Sequence, residues 1–251
     1  MVVDSHCHIH DEQFFPDSRE EVYVRAIEAD VKMILAGTSE SDSHAAVRFA
    51  TSHRDVWAVV GVHPHDVKDG WQEVGQILKA HPEKVVGVGE IGLDYFYDNS
   101  PRTTQVRALE EQLQWAVDRH LPVSFHVRDA YDDFWPIFDN FRGVRGVLHS
   151  FTDTSATLDR ALERGLYIGV NGISTFTRDP VQREMFARIP LDTMLLETDA
   201  PFLTPKPFRG KVNEPAFVRL VAEHHAAIRG CDAAEIAQVT TANANALFAL
   251  N

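Results

Sequence analysis

Eight short apolar runs recur along the chain: MVVDSH, VKMILAG, VWAVVGVH, KVVGVGE, LPVSFH, VRGVLHS, LYIGV and TMLLETD. They are rich in valine and lack sustained polar alternation, which fits strands buried on both faces. Helix-like stretches lie between most of them. From Val106 the apolar positions Leu109, Leu113, Ala116 and Val117 keep helical spacing. Ser100-Pro101, just ahead, reads as a cap followed by proline at the first helical position. Near the end, Phe217, Leu220, Val221 and His224 share one helical face, and the alanine-rich tail from Asp232 reads as a last helix. Strands alternating with helices call for parallel pairing through right-handed crossovers. Eight such units close an α/β fold of the (β/α)8 TIM-barrel type. The runner-up, an open doubly wound sheet, wants a glycine-rich phosphate loop after its first strand; HIHDEQFFP stands there instead. With 251 residues, 44 % of them apolar, and no linker or repeat, the expectation is a single domain spanning 1–251.

The ends of these runs carry the chemistry. The first ends in His6 and His8, the third in His63, the fourth in Glu90, the fifth in His126, the sixth in His149 and the eighth in Asp199. One histidine after a strand is ordinarily a satisfied core or surface residue. Six of eight strands ending in a His, Glu or Asp is not the scatter that chance gives, and in a parallel barrel those ends form the face where active sites are built. Alternate residues of a strand share a face, so His6 and His8 point inward together and Cys7 points away. Two adjacent imidazoles make a poor core and a good pair of metal ligands. Asp4, on the same face, either orients a ligand histidine or is a buried structural carboxylate. His10, past the strand, is read as a surface loop residue.

Four histidines and two carboxylates exceed what one catalytic zinc takes. They suit two divalent ions about 3.5–4 Å apart. His6, His8, Glu90 and Asp199 are assigned to one ion, and Glu90, His126 and His149 to the other, with Glu90 bridging. Zn, Mn, Mg, Ni and Fe all remain compatible with this donor set. The formal charge of −13 excludes a general nucleic-acid coater, yet a dication pair would attract a phosphodiester locally. The two cysteines, Cys7 and Cys231, form neither a disulfide framework nor a thiolate site. A reducing cytoplasmic setting is the default expectation; no signal peptide and no membrane span are visible, and no obligate protein partner is evident.

The motifs DSHCHIH, GVHPH, VGEIGLDY, LPVSFHVRDA, LHSF and LLETDAPFL, in this order, resemble the TatD-type metal-dependent deoxyribonucleases of the amidohydrolase-like barrel superfamily. The resemblance runs from Asp4 to TTANANALF. It implies a (β/α)8 barrel, a divalent-metal site and phosphodiester hydrolysis on DNA, tilted toward 3′–5′ exonuclease action on single strands. It supports ligand roles for His6, His8, Glu90, His126, His149 and Asp199, and it puts His63 beside the metals near the substrate phosphate. The family's RxxRNEP-like stretch reads KPFRGKVNEPAFV here; Asn213, Glu214 and Pro215 are kept, and Arg209 and Lys211 either touch the DNA backbone or are solvated.

The expected mechanism has a metal-activated water attack phosphorus, with Asp199 accepting its proton. His63 would hydrogen-bond the phosphate or the leaving oxygen. Arg128, on the face of His126, either holds a phosphate or pairs with a carboxylate. Glu197 sits deeper and is read as structural, or as orienting a ligand, rather than catalytic; Asp94 either orients a ligand histidine or caps its turn. Tyr95, Phe96 and Phe176 either stack on bases or cover the core. The same bimetal barrel can also hydrolyse an ester or amide, aminoacyl-tRNA deacylation being one example.

Overall fold

The computed structural model describes residues 1–80 and 83–250. The elements run β1 (Val2–Cys7), α1 (Arg19–Glu28), β2 (Val31–Ala36), α2 (Glu40–Ser52), β3 (Val56–Val60), α3 (Val74–Ala80), β4 (Val85–Asp94), α4 (Arg102–Asp118), β5 (Val123–Arg128), α5 (Tyr131–Asn140), β6 (Gly146–Leu148), α6 (Ser155–Glu163), β7 (Tyr167–Val170), α7 (Ile173–Phe176), α8 (Pro180–Arg188), β8 (Met194–Leu196), α9 (Val218–Arg229) and α10 (Ala233–Phe248). All eight expected strands form. They follow one another in chain order in one eight-stranded sheet, and the pairings β1–β2, β3–β4, β4–β5, β5–β6 and β7–β8 are parallel. This is the expected (β/α)8 TIM-barrel class. An open sheet would keep its first and last strands apart, but here the Ser5 hydroxyl donates to the Leu196 carbonyl at 3.0 Å.

The chain divides into two compact units, one of Met1–Leu35 with Ser150–Ala249 and one of Ala36–His149. In the first, every residue of β1 is buried, the polar Asp4, Ser5 and His6 included. Cys7 points away from the histidine face, its Sγ 3.8 Å from the Ile34 carbonyl. The buried stripe of α9 is Val218, Val221, Ala222, His225 and Ala226, one step on from the expected Phe217, Leu220, Val221 and His224. The displacement has a local cause: Pro215–Phe217 forms a separate 3-10 turn, so the helix starts at Val218. The last helix begins after Asp232, as expected.

In the second unit β4 is buried along its whole length and continues past Glu90 to Asp94. Gly92 makes this possible. Its φ is +156°, and a Cβ there would stand 1.7 Å from the His126 carbonyl carbon's oxygen, so any side chain would force β4 and β5 apart where they carry Glu90 and His126. Helix α4 buries Leu109, Leu113 and Ala116. Its start differs from expectation. Pro101 occupies the N-cap position, and the Ser100 hydroxyl donates instead to the His65 carbonyl at 2.7 Å. No helix among the described residues is long and apolar enough to cross a membrane.

Candidate metal centre

The first unit gathers His6, His8 and Asp199. Past the end of β8 the chain goes on bonding to β1: the Asp199 N–H donates to the His6 carbonyl (2.9 Å) and the His8 N–H to the Ala200 carbonyl (2.8 Å). This ladder sets the Asp199 carboxylate against the imidazoles, with Oδ1 at 3.3 Å from His8 Nε2 and 3.9 Å from His6 Nε2. Asp199 itself has φ +57°, a left-handed conformation that costs most side chains about 1–2 kcal/mol and that aspartate tolerates better than most. Asn213 holds the bend, its side-chain amide donating to the carbonyls of Thr198 and Phe202.

Among the described residues Asp4 binds no imidazole. Its carboxylate takes the Thr198 N–H (2.9 Å), the Thr198 hydroxyl (2.6 Å) and the His6 N–H, so it braces the backbone at His6 and Thr198. Burial pushes its pKa up to about 8 despite those bonds. Glu197 likewise takes the Ser150 N–H (2.7 Å) and the Asn171 amide, in keeping with the structural reading. His10 is buried, contrary to expectation, because the turn after β1 folds Ile9 and His10 inward; its ring lies 6.2 Å from that of His8.

The second unit gathers His63, Glu90, His126 and His149 around one oxygen. Glu90 Oε1 lies 3.0 Å from His126 Nδ1, 3.4 Å from His149 Nε2 and 3.7 Å from His63 Nε2. Within this group His63, Glu90 and His126 already present donor atoms close enough to share one ion. His126 is aimed from behind: its Nε2 bonds to Asp94 Oδ2 at 2.9 Å. The same oxygen receives His65 Nε2 at 3.0 Å, and Asp94 Oδ1 receives the N–H groups of Phe96 and Tyr97, both at 3.0 Å. Burial alone would raise the Asp94 carboxyl, but the bonds from His126, His65 and Tyr97 outweigh it and hold it well below the ordinary carboxylate range. Asp94 is thus an ionised acceptor. It holds the His126 ring by Nε2 while Nδ1 faces Glu90 Oε1 at 3.0 Å. Against the effect of burial, its hydrogen bond and the one to Glu90 raise the His126 pKa.

His63 has a fixed orientation too. Its Nδ1 accepts the His65 N–H at 3.1 Å, so the ring proton belongs on Nε2, facing Glu90. Burial, and next the neighbouring His126, keep its pKa well below the usual histidine value.

Three supporting residues have no place in the sequence reading. His65 was available as the second histidine of GVHPH. Gln105 and Gln112, seven residues apart and so on one face of α4, are fully buried. Gln105 clamps the Asp94 N–H (2.9 Å) and carbonyl (3.1 Å), and Gln112 the Val62 N–H (2.8 Å) and carbonyl (3.3 Å). Two glutamines in an otherwise apolar helical stripe were the available signal. The kept Asn213 and Glu214 make structural contacts: besides the Asn213 clamp, Glu214 forms a two-pronged pair with Arg25 at 2.7 and 2.9 Å. Arg209 lies over the Phe176 ring at 3.8 Å and donates to the Thr204 carbonyl.

The donor sets fit divalent metal ions. One carboxylate oxygen faced by three imidazole nitrogens has more neighbours than its two lone pairs can accept as hydrogen bonds, and mixed imidazole–carboxylate donors suit borderline cations. Comparison with known proteins agrees. The family model for TatD-related DNases matches residues 3–249. An uncharacterized metal-dependent hydrolase of Bacillus subtilis, YabD, is 35 % identical over the whole of both chains. The 3′-5′ ssDNA/RNA exonuclease TatD of Salmonella typhimurium is 37 % identical, covering 93 % of this chain and 94 % of its own. The crystal structure of the TatD homologue YjjV from Escherichia coli superposes with a TM-score of 0.91 at 33 % identity, over 100 % of this chain and 98 % of that one. The chain belongs to the TatD-related DNase family.

Proposed function

We propose that this protein is a metal-dependent phosphodiester hydrolase acting on DNA, a 3′–5′ exonuclease on single strands. One ion would take His6, His8, Glu90 and Asp199, and the other Glu90, His126 and His149. The observation that carries the reading is the crowding of imidazole nitrogens on Glu90 Oε1, in a family whose relatives include a 3′-5′ ssDNA/RNA exonuclease.

When bound, such ions supply an activated water and offset the charge that develops on a phosphate. The remaining work falls to side chains. Asp199, carrying its carboxylate on a left-handed bend beside His8, accepts the proton of the attacking water. His63, with its proton on Nε2, donates a hydrogen bond to a phosphate oxygen or to the leaving oxygen. Arg128 supplies a fixed positive charge: its guanidinium has no ion pair or hydrogen bond recorded among the described residues, which favours the phosphate role over pairing with a carboxylate.

The test compares turnover of a single-stranded oligonucleotide with turnover of a panel of carboxyl esters and an aminoacyl-tRNA, under one condition each of Mg2+, Mn2+ and Zn2+. The expected result is release of mononucleotides from the 3′ end and little ester cleavage. Ester cleavage without phosphodiester cleavage would overturn the proposal.

A further inference from the structure

Among the described residues, four aromatic side chains are exposed: Phe14, Phe96, Tyr97 and Phe202. Each sits on a loop leaving a strand that carries or leads to a candidate ligand. Phe14 follows β1, Phe96 and Tyr97 follow β4, and Phe202 follows β8. The exposed aliphatic residues Val24, Val181 and Ile228 lie on helices instead, and Val212 on the loop after β8. Isolated exposed hydrophobic residues need no explanation. Adjacent ones, held rigidly beside a candidate reaction centre, do.

Phe96 and Tyr97 are 55 % and 53 % exposed, yet neither is loose. Asp94 Oδ1 binds both of their N–H groups. Their rings stand edge to face at 4.8 Å. Arg128, two residues beyond His126 on β5, lies 3.9 Å over the Phe96 ring and 4.9 Å over that of Tyr97. The Tyr97 ring in turn meets His65 at 5.3 Å, and His65 shares Asp94 Oδ2 with His126. One carboxylate therefore fixes both the metal-facing imidazole and the aromatic pair. Tyr95, by contrast, is committed elsewhere: its hydroxyl donates to Asp133 at 2.8 Å, and Arg102 covers its ring.

We infer that Phe96, Tyr97 and Arg128 form a stacking subsite for an unpaired nucleobase of the strand being cut. The inference rests on the phosphodiesterase reading above and adds where the base goes. An aromatic face accepts any base, because every base has a π-face. A guanidinium stacked on the same rings adds a cation for the adjoining phosphate. Only an unpaired, unstacked base can offer its face, so such a platform favours single strands and frayed ends over duplex.

The experiment uses the double variant Phe96→Ala/Tyr97→Ala, whose half-exposed side chains can be removed without opening the core; an unchanged urea midpoint checks this. Two oligonucleotides are compared, one ending in 2-aminopurine and one with an abasic residue at the same position. Stopped-flow fluorescence follows the base before cleavage, and kcat/KM follows turnover. In the wild type, 2-aminopurine emission is quenched on mixing, and the base-ended strand is preferred over the abasic one by roughly 5- to 150-fold. In the variant both the quench and the preference disappear, while turnover of the abasic strand stays as in the wild type. Equal discrimination by both proteins would overturn the subsite and leave the nuclease reading standing. A wild type that neither binds nor cuts either strand would overturn both.

Discussion

The two units solve the same problem, holding imidazoles against a carboxylate, by different means. In Met1–Leu35 with Ser150–Ala249 the backbone does most of it. Asp199 sits where it does because its own N–H and that of His8 extend the β1–β8 ladder, and because a left-handed residue turns the chain at that point. In Ala36–His149 side chains do it. Asp94 aims His126 and holds His65, while Gln105 and Gln112 fix the backbone beside them. A ligand aimed by side-chain hydrogen bonds can be detuned by one isosteric substitution. A ligand aimed by the backbone resists such changes and yields only when it is itself removed or its bend is released.

The largest effect tests whether both clusters serve one reaction. Asp199→Asn and Glu90→Gln each keep the shape of the side chain and remove its charge. Each is expected to cut kcat/KM on single-stranded DNA by about 10²- to 10⁴-fold, the range for loss of a positioned acid–base group. Metal content by elemental analysis separates lost chemistry from lost ions. A near-wild-type rate in Glu90→Gln would remove the cluster of the second unit from the reaction, and the same result in Asp199→Asn would end its role as proton acceptor.

Next in size is Asp94→Asn. The amide cannot accept from both His126 and His65 at full strength, so the bond that orients the His126 ring weakens. Titration calorimetry with Mn2+ or Zn2+ should show affinity lowered about 10- to 100-fold, the usual effect of removing a hydrogen-bond partner behind a ligand. No equivalent variant exists in the first unit, where Asp4 braces backbone. Asp4→Asn should therefore change stability before it changes metal affinity. Unaltered affinity in Asp94→Asn would mean that the two clusters are aimed alike after all.

Most of the fold was legible from the chain, for a physical reason. Strands buried on both faces are written as uninterrupted Val-rich runs, and all eight formed where the runs lie. His6, His8, Glu90, His126, His149 and Asp199 were legible as strand-end polar residues, because burying them carries a desolvation cost that a core does not bear without a partner. What escaped was everything that depends on loop geometry. His10 was read as exposed because its burial follows from how the turn after β1 folds back. Helix α9 shifted by a residue because a proline turn precedes it. His65, Gln105 and Gln112 act on backbone far away in sequence, and spacing alone does not reveal their targets.

Acid also separates the units. In the second, the buried imidazoles of His63 and His149 face Glu90. In the first, His225 is buried within α9 away from that chemistry, with neither ring nitrogen hydrogen-bonded among the described residues. Burial, then the nearby His224 and Arg229, lowers its pKa to about 3. The unfolded chain takes up a proton near the ordinary value of 6.5 and the folded protein does not, so stability is complete above pH 6.5 and falls as the pH drops toward 3. At pH 4.5 the loss from this one group is on the order of 2 kcal/mol. His225→Leu should flatten the fall in urea midpoint between pH 7.5 and 4.5 by about that amount. An unchanged slope would show that His225 does not govern the acid sensitivity.

The smallest effects come from the clamps, and they grade the comparison most finely. Gln112→Leu leaves the Val62 N–H and carbonyl, both beside the His63 loop, without the partner that α4 gives them. An unmet buried donor costs about 1–3 kcal/mol. Asn213→Leu strips a donor from two carbonyls, Thr198 and Phe202, and carbonyl oxygens tolerate under-satisfaction better than N–H groups do. Gln112→Leu should therefore lower the unfolding free energy by about 2 kcal/mol and Asn213→Leu by about 1 kcal/mol, both from urea titration at neutral pH. Hydrogen exchange at Val62 should rise in the first variant alone. If Asn213→Leu costs more, the bend at Asp199 depends on that one side chain rather than on its ladder with β1, and the first unit is held by side chains as much as the second.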